Sequence, residues 1–194
     1  MLRAEDHASA IARFLAERSG EATRLRLANE ADAAFLLELR LDPARNQNIS
    51  ATSTDLGDQV EWMRNYLTRH DAGQEAYFVI EVDGLSKGSL RFYDYDSATD
   101  SYCWGSWIIR PGAAPAAAFQ SILLAYDLAF GPMQFRRARF DVRQANISVW
   151  KFHEKMGAKL SYEDELDRHY EYPAEEYPQA RGWLLNFAQM GKTR

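Results

Sequence analysis

The sequence predicts one mixed α/β domain, and three observations carry that expectation. The chain has 194 residues, about the length of a single domain. Its composition, 46% hydrophobic and 26% charged, is that of an ordinary folded protein with enough apolar mass for a core. Its periodicities run in the order of paired helices, a three-stranded meander and then strand–helix–strand units.

Residues Ala8–Glu17 place Ile11, Phe14 and Leu15 at helical spacing, and Ser19-Gly20 ends that helix. Thr23–Leu27 alternates polar and apolar, the period of a half-buried strand. Asn29 is placed to cap a helix starting near Glu30, with Phe35, Leu36 and Leu39 inward. Residues 41–54 are polar, contain Pro43, and make a long irregular loop of the kind that often carries function. Thr54 or Asp55 then caps a second helix with Val60, Met63 and Leu67 inward.

Tyr77–Val82 and Ser89–Tyr93 form a hairpin about Asp83-Gly84. A second turn spans Asp94–Asp100, and Tyr102–Ile109 is the third strand, in which Gly105 marks a bulge or a close backbone approach. Arg110–Pro115 breaks that strand, and Pro115 suits the first turn of a long helix running from about Ala116 to Phe130. Ala138–Val142 is the next strand, and Asn146 opens a helix through Met156 that Gly157 stops. Lys159–Asp164 and Arg168–Tyr172 pair as a final hairpin, and Trp183–Phe187 is a terminal helix.

The formal net charge of -5 argues against a general nucleic-acid binder or a binder of anionic membranes, while leaving room for a local basic pocket. One cysteine, Cys103, cannot form an internal disulfide, and His7, His70, His153 and His169 lack zinc-ligand spacing, so no metal is expected. A reducing cytoplasm is the expected setting. The acid-rich start, Met1–Asp6, is unlike a secretory signal, and the apolar stretch Ala113–Phe130 contains Pro115, Gln120 and Asp127, unlike a membrane span.

Four features could carry chemistry, each beside a plain alternative, and the first two are stretches of chain. The small-residue loop Arg110–Ala117, between a strand and a helix, leaves backbone N–H groups open to an anion, with the helix dipole behind them. It has neither a Walker lysine nor the spaced glycines of a dinucleotide fingerprint, and an ordinary loop is the alternative. In residues 146–158, Val149, Phe152, His153 and Met156 share one helical face, so His153 points with the apolar stripe. A core histidine and a simple Asn146 N-cap are the alternative there.

Within that second stretch, Asn146, Glu154, Lys155 and Gly157 fall in register with the Asn-x-x-Ala-x-x-x-Tyr-Glu-Lys-x-Gly-Phe signature, and the chain thereby resembles the GNAT superfamily of acetyl-CoA-dependent N-acetyltransferases. Val149, His153 and Ala158 depart from it, and so does the loop, where Ala113 and Pro115 follow Arg110 at positions usually glycine or glycine/alanine. The resemblance runs over roughly Thr23–Tyr172 by element order. It implies a mostly antiparallel sheet flanked by helices, with splayed central strands. The domain then spans 23–194, including the C-terminal hairpin and tail helix, behind an N-terminal helical extension over 1–22.

Acetyl-CoA as co-substrate is implied between strands Tyr102–Ile109 and Ala138–Val142. Arg110, Gly112, Ala113, Ala114, Ala116 and Ala117 would receive its pyrophosphate, Asn146 its pantetheine arm, and Ile108 and Phe152 would line the slot. A backbone N–H near Ile108 or Ile109 would polarise the thioester carbonyl. His153, standing where tyrosine is usual, would protonate the thiolate with a near-neutral pKa. The third strand lacks the glutamate that often serves as base, which leaves Asp94, Asp96, Glu38, Glu61 or a water held by Ser106. Cys103 reads as strand filler rather than as a nucleophile.

The Leu39–Pro43 pattern followed by Gln59 and Trp62 is similar to amino-sugar N-acetyltransferases and to the ribosomal-protein N-terminal branch. Arg40 and Arg45 would grip a diphosphate there, with Trp62, Tyr93 and Trp104 stacking on the acceptor. A solvated polar loop is the plain alternative. The implied reaction moves acetyl to a primary amine, on an amino sugar or nucleotide-linked amino sugar, in a monomer or homodimer. A peptide or protein N-terminus, a small-molecule amine, or a non-catalytic acyl-CoA-binding module are the alternatives.

Overall fold

A computed structural model describes residues 4–43 and 46–190. Helix α1 (Ala4–Glu17) precedes strand β1 (Thr23–Leu27), and α2 (Ala33–Leu41) and α3 (Leu56–Asp71) follow. Strands β2 (Ala76–Val82), β3 (Leu85–Asp96) and β4 (Ser101–Ile109) make the meander, and α4 (Pro115–Phe130) crosses to β5 (Arg137–Arg143). Helix α5 (Ile147–Lys155), strands β6 (Lys159–Glu163) and β7 (Asp167–Pro173) and helix α6 (Tyr177–Met190) come last. The sheet order is β1-β2-β3-β4-β5-β7-β6. Only β4 and β5 pair in parallel, because α4 carries the chain back along the sheet between them.

Both faces of the sheet are covered, which is why β2 is apolar from Ala76 to Ile80 rather than alternating. Phe78 and Ile80 pack with Ile11 and Phe14 of α1, Leu124 and Leu128 of α4 and Leu184 of α6. Tyr77 and Val79 pack on the opposite face with Leu36, Met63 and Tyr66 of α2 and α3.

Local chemistry sets the element boundaries. Asn29 accepts from the Ala31 amide at 2.9 Å and Asp32 accepts from the Asn29 amide at 2.9 Å, closing a reciprocal cap on a 3₁₀ turn that leads into α2. Asp55, of the two caps the sequence offers, holds the Gly57 and Asp58 amides at 2.6 and 3.2 Å. Helix α3 buries Gln59, Met63 and Tyr66, while Val60 and Leu67 are only half-buried, a rotation from the expected face. The cause is polar: the Tyr66 hydroxyl receives the Tyr77 amide at 3.1 Å and donates to the Tyr77 carbonyl at 3.3 Å, tying α3 to β2.

Strand β3 runs on through Asp94 to Asp96, where the sequence suggested a turn. Asp94 sits at φ 49° in a two-for-one bulge, Asp94-Tyr95 facing Tyr102, so pairing resumes at Asp96–Ser101. A second bulge of the same form lies in β4, where Ser106-Trp107 face Leu90 and Ser106 has φ 49°. Gly105 stands beside it as the close approach: a Cβ there would meet the Tyr93 hydroxyl at 3.2 Å. Among the described residues no helix is long and apolar enough to cross a membrane.

Candidate active site

Strands β4 and β5 pair only through Ser101–Arg137, Tyr102–Ala138 and Cys103–Arg139, and then separate. The bulge at Ser106 turns β4 away from β5 at this point, and helices α4 and α5 both begin beside the opening. The resulting cleft has a volume of about 420 Å³ and is lined by β4 from Trp104 onward, the loop Arg110–Ala114, Ala118, residues 140–142 of β5, and Asn146, Ser148, Val149 and His153. Two helix N-termini opening on one slot favour an anionic ligand, and backbone groups of β4 beyond Cys103 have no partner strand on this side.

Ile108, Ile109, Arg110, Gly112, Ala113, Ala114, Asn146 and His153 thus come together as the sequence placed them, with Ser106 at the inner end. Ala116, Ala117 and Phe152 do not reach the cleft. Ala116 and Ala117 face the core, with Ala118 lining the cleft in their place, and Phe152 packs on Phe119 and Trp183. The Ala117 amide donates to the Ala114 carbonyl at 2.8 Å and the Ala113 amide to the Arg110 carbonyl at 3.3 Å. The amides of Gly112 and Ala114 have no backbone acceptor among the described residues, and Gly112 holds φ 82° with open space beside it.

The Arg110 side chain is turned away to Glu38 at 2.5 Å, and its amide bonds the Lys87 carbonyl at 2.7 Å. Because strand backbone groups alternate, that bond leaves the Ile109 N–H, and not that of Ile108, facing the cleft. The Asn146 carbonyl accepts from Val149 and Trp150, but its side chain makes no capping bond, so the simple N-cap reading does not account for it.

His153 is 3% exposed, set between Phe140 at 4.4 Å and the Trp104 ring at 5.6 Å. Burial pushes its pKa down to about 3, which corrects the near-neutral histidine expected from sequence. The ring is neutral at physiological pH. Cys103 is half-buried and burial raises its thiol pKa, as suits strand filler.

A second cavity, of about 610 Å³, lies on the α2–α3 side of the sheet. Its walls include Arg40, Trp62, Tyr93 and Trp104, together with loop residues 48–53. Arg45 lies outside the described residues. Arg40 donates to the Ser50 carbonyl at 3.0 Å and reaches the Ser106 hydroxyl at 3.4 Å, joining the loop to the bulge. Burial raises the Tyr93 hydroxyl to about 12, so it stays a neutral donor.

Sequence reasoning missed Arg91, Asp141 and Arg143. Arg91 lies over the rings of Trp62 and Tyr93 at 5.0 and 4.8 Å and bonds Glu75, while Arg143 pairs with Asp167 at 2.7 Å. Their signal was strand alternation: Arg139, Asp141 and Arg143 fall on the face of β5 opposite Ala138, Phe140 and Val142. Of the acids proposed as base, Asp94, Asp96, Glu38 and Glu61 line neither cavity. Asp96 instead holds the Ala98 amide and Thr99 hydroxyl at 2.8 and 2.7 Å.

The two cavities share Asn48, Ile49, Trp104, Gly105, Ser106 and Asp141. A slot suited to an anionic ligand therefore adjoins a polar, aromatic-walled chamber at the bulged strand.

A family model described as an acetyltransferase (GNAT) domain matches residues 23–159. The solved structure of apo FdhC, described as a nucleotide-linked sugar GNAT, is 37% identical, with TM-score 0.78 over 86% of this chain and 95% of that one. Mycobacterium smegmatis RimJ in complex with CoA-disulfide is 20% identical, with TM-score 0.69 over 86% of this chain and 88% of that one. A point mutant of the spermidine N-acetyltransferase SpeG from Vibrio cholerae is 17% identical, with TM-score 0.67 over 81% of this chain and 97% of that one; these last two likenesses speak to the fold. No curated protein sequence is significantly similar to this chain. With the splayed parallel pair, the cleft at two helix N-termini and the family match all falling on the same residues, the chain belongs to the GNAT acetyltransferase family.

Proposed function

We propose that this protein transfers acetyl from acetyl-CoA to the primary amine of an amino sugar, most specifically a nucleotide-linked one, by direct attack in a ternary complex. The observation that carries the proposal is the junction at Trp104–Ser106 and Asp141, residues that line both the anion slot and the aromatic chamber. The 37% identity to a nucleotide-linked sugar GNAT supports the acceptor class, as do the aromatic walls and Arg40.

In this reading the amides of Gly112 and Ala114 and the two helix dipoles hold the pyrophosphate. The Asn146 side chain bonds the pantetheine amides. The Ile109 N–H stabilises the oxyanion as the carbonyl becomes tetrahedral. Ser106 holds the amine against the thioester from the acceptor side, with Arg40 bracing its hydroxyl. His153 acts as a neutral N–H donor to the departing sulfur. At pH 7 a histidine with a pKa of about 3 is protonated in roughly one molecule in 10⁴, so imidazolium chemistry contributes nothing useful.

The test is thiol release from acetyl-CoA with a panel of amino sugars, nucleotide-linked amino sugars, spermidine and short peptides, followed by product mass. Acetylation of the nucleotide-linked amino sugars with the highest kcat/KM is the expected result. Preferred acetylation of spermidine or peptide N-termini overturns the acceptor assignment, and binding of CoA without turnover on any amine overturns the enzymatic reading.

A further inference from the structure

We infer that Asp141 is the catalytic base of the transfer, taking the proton from the attacking nitrogen; this rests on the acetyl-transfer reading above. Asp141 is the one carboxylate residue, among the described residues, that lines both cavities. The other acids of the acceptor chamber are engaged: Asp58 receives the Ser53 hydroxyl at 2.5 Å, and Asp167 receives Arg143 at 2.7 Å.

The charged and titratable groups around Asp141 are likewise held by other partners. On its own strand, Arg139 donates to the Ser101 hydroxyl and the Asp94 carbonyl at 3.0 and 2.8 Å, and Arg143 is taken by Asp167. His169, its cross-strand neighbour on β7, is joined to Asp164 at 2.7 Å and stacked on Tyr162 of β6. Across the chamber Arg91 is bound to Glu75, Arg40 reaches Ser50 and Ser106, and Tyr93 and Cys103 stay protonated through burial. The Asp141 side chain is exposed to the junction and makes no hydrogen bond or ion pair among the described residues, while its backbone lies in the β5–β7 ladder. A carboxylate left without a protein partner, beside Ser106 and across from the splayed end of β4, is placed to meet an amine.

The acceptor enters as an ammonium, attracted by the carboxylate, and loses one proton to solvent. Its nitrogen lone pair forms the C–N bond while the carbonyl π pair moves to oxygen, under the Ile109 N–H. Bond formation makes the remaining N–H protons acidic, and Asp141 takes one of them. The oxygen pair returns, the C–S bond breaks toward sulfur, and the thiolate takes up a proton as Asp141 releases its own to solvent. Amine and thioester become amide and thiol, with no redox partner needed.

The experiment compares the wild type, Asp141→Asn and Asp141→Glu, with acetyl-CoA and a nucleotide-linked amino sugar, across pH 6–9.5. Asp141→Asn is expected to lower kcat by about 10²–10³-fold, the range for loss of a general base, with CoA affinity by calorimetry within threefold. Its rate should climb nearly tenfold per pH unit where the wild type is level, since hydroxide then replaces the base. Asp141→Glu should recover part of the loss. Turnover of a folded Asp141→Asn protein within threefold of wild type and with the same pH profile, or a rise in acceptor KM at unchanged kcat, overturns the assignment while leaving acetyl transfer intact. A wild type that releases no CoA thiol with this acceptor or with spermidine overturns the acetyl-transfer reading and the inference together.

Discussion

His153 shows how burial sets a protonation state that spacing alone did not reveal. Spacing placed it with the apolar stripe of α5, and the structure sets it against Phe140 and Trp104 at the edge of the cleft. A hydrogen bond to a charged group is worth about 1.5–3 kcal/mol, so His153→Phe is expected to lower kcat by about 10–10²-fold in steady-state assays. That is less than the 10²–10⁴-fold of a full general acid, and unchanged turnover would reduce His153 to packing. Its pKa also links to stability. The folded value, about 3, lies below the ordinary 6.5, so between these values the unfolded chain binds the extra proton. The contribution from keeping His153 neutral is complete above pH 6.5 and is lost as pH falls toward about 3. His7, buried against Tyr95 and Phe135, is lowered by burial and adds in the same direction. Each pH unit below 6.5 costs about 1.4 kcal/mol from His153, so denaturant unfolding at pH 7 and pH 5 should show a difference about 2 kcal/mol smaller in His153→Phe.

At the scale of elements, the loop Arg110–Ala114 is the part whose behaviour follows most directly from backbone geometry. Gly112 holds φ 82°, and no neighbour lies within 4 Å of where a Cβ would stand. Substitution there is costly through conformation and charge rather than through a clash. Gly112→Asp is expected to weaken CoA binding in calorimetry by tenfold or more, and Gly112→Ala by less, since it brings strain without a negative charge. Equal affinity in Gly112→Asp and wild type would remove the pyrophosphate from this loop. The sequence placed this loop between a strand and a helix, and its residues 110–114 do line the cleft. Two details were not legible in sequence. The Arg110 guanidinium goes to Glu38, a contact across 72 positions that no local pattern encodes. The bulges at Asp94 and Ser106 carry non-glycine residues at positive φ, where sequence reasoning looks for glycine, so the expected bulge fell on Gly105 and not on Ser106.

Across the whole molecule, alternation and capping revealed the order of helices and strands, since those signals are local. What they did not reveal is convergence. Asp141 is one more polar residue in an alternating strand until β5 is seen to part from β4 and present that face to the acceptor chamber. The N-terminal segment makes the same point. The family match begins at residue 23, yet α1 buries Ile11 and Phe14 at 2% exposure in the core shared by β1, β2, α4 and α6. Removing residues 1–22 is therefore expected to cost about 3–6 kcal/mol, from two large side chains at about 1.5–3 kcal/mol each, read as a lowered denaturation midpoint. An unchanged midpoint would make that segment an appendage.

The proposed direct transfer requires both substrates on the protein at once, and Cys103, half-buried and lining neither cavity, offers no acyl carrier between them. Initial-rate kinetics with acetyl-CoA and a nucleotide-linked amino sugar varied together test this arrangement most directly. Intersecting double-reciprocal lines, with no acetylated protein after incubation with acetyl-CoA alone, are the expected result. Parallel lines, with an acetyl group trapped on the protein, would contradict it.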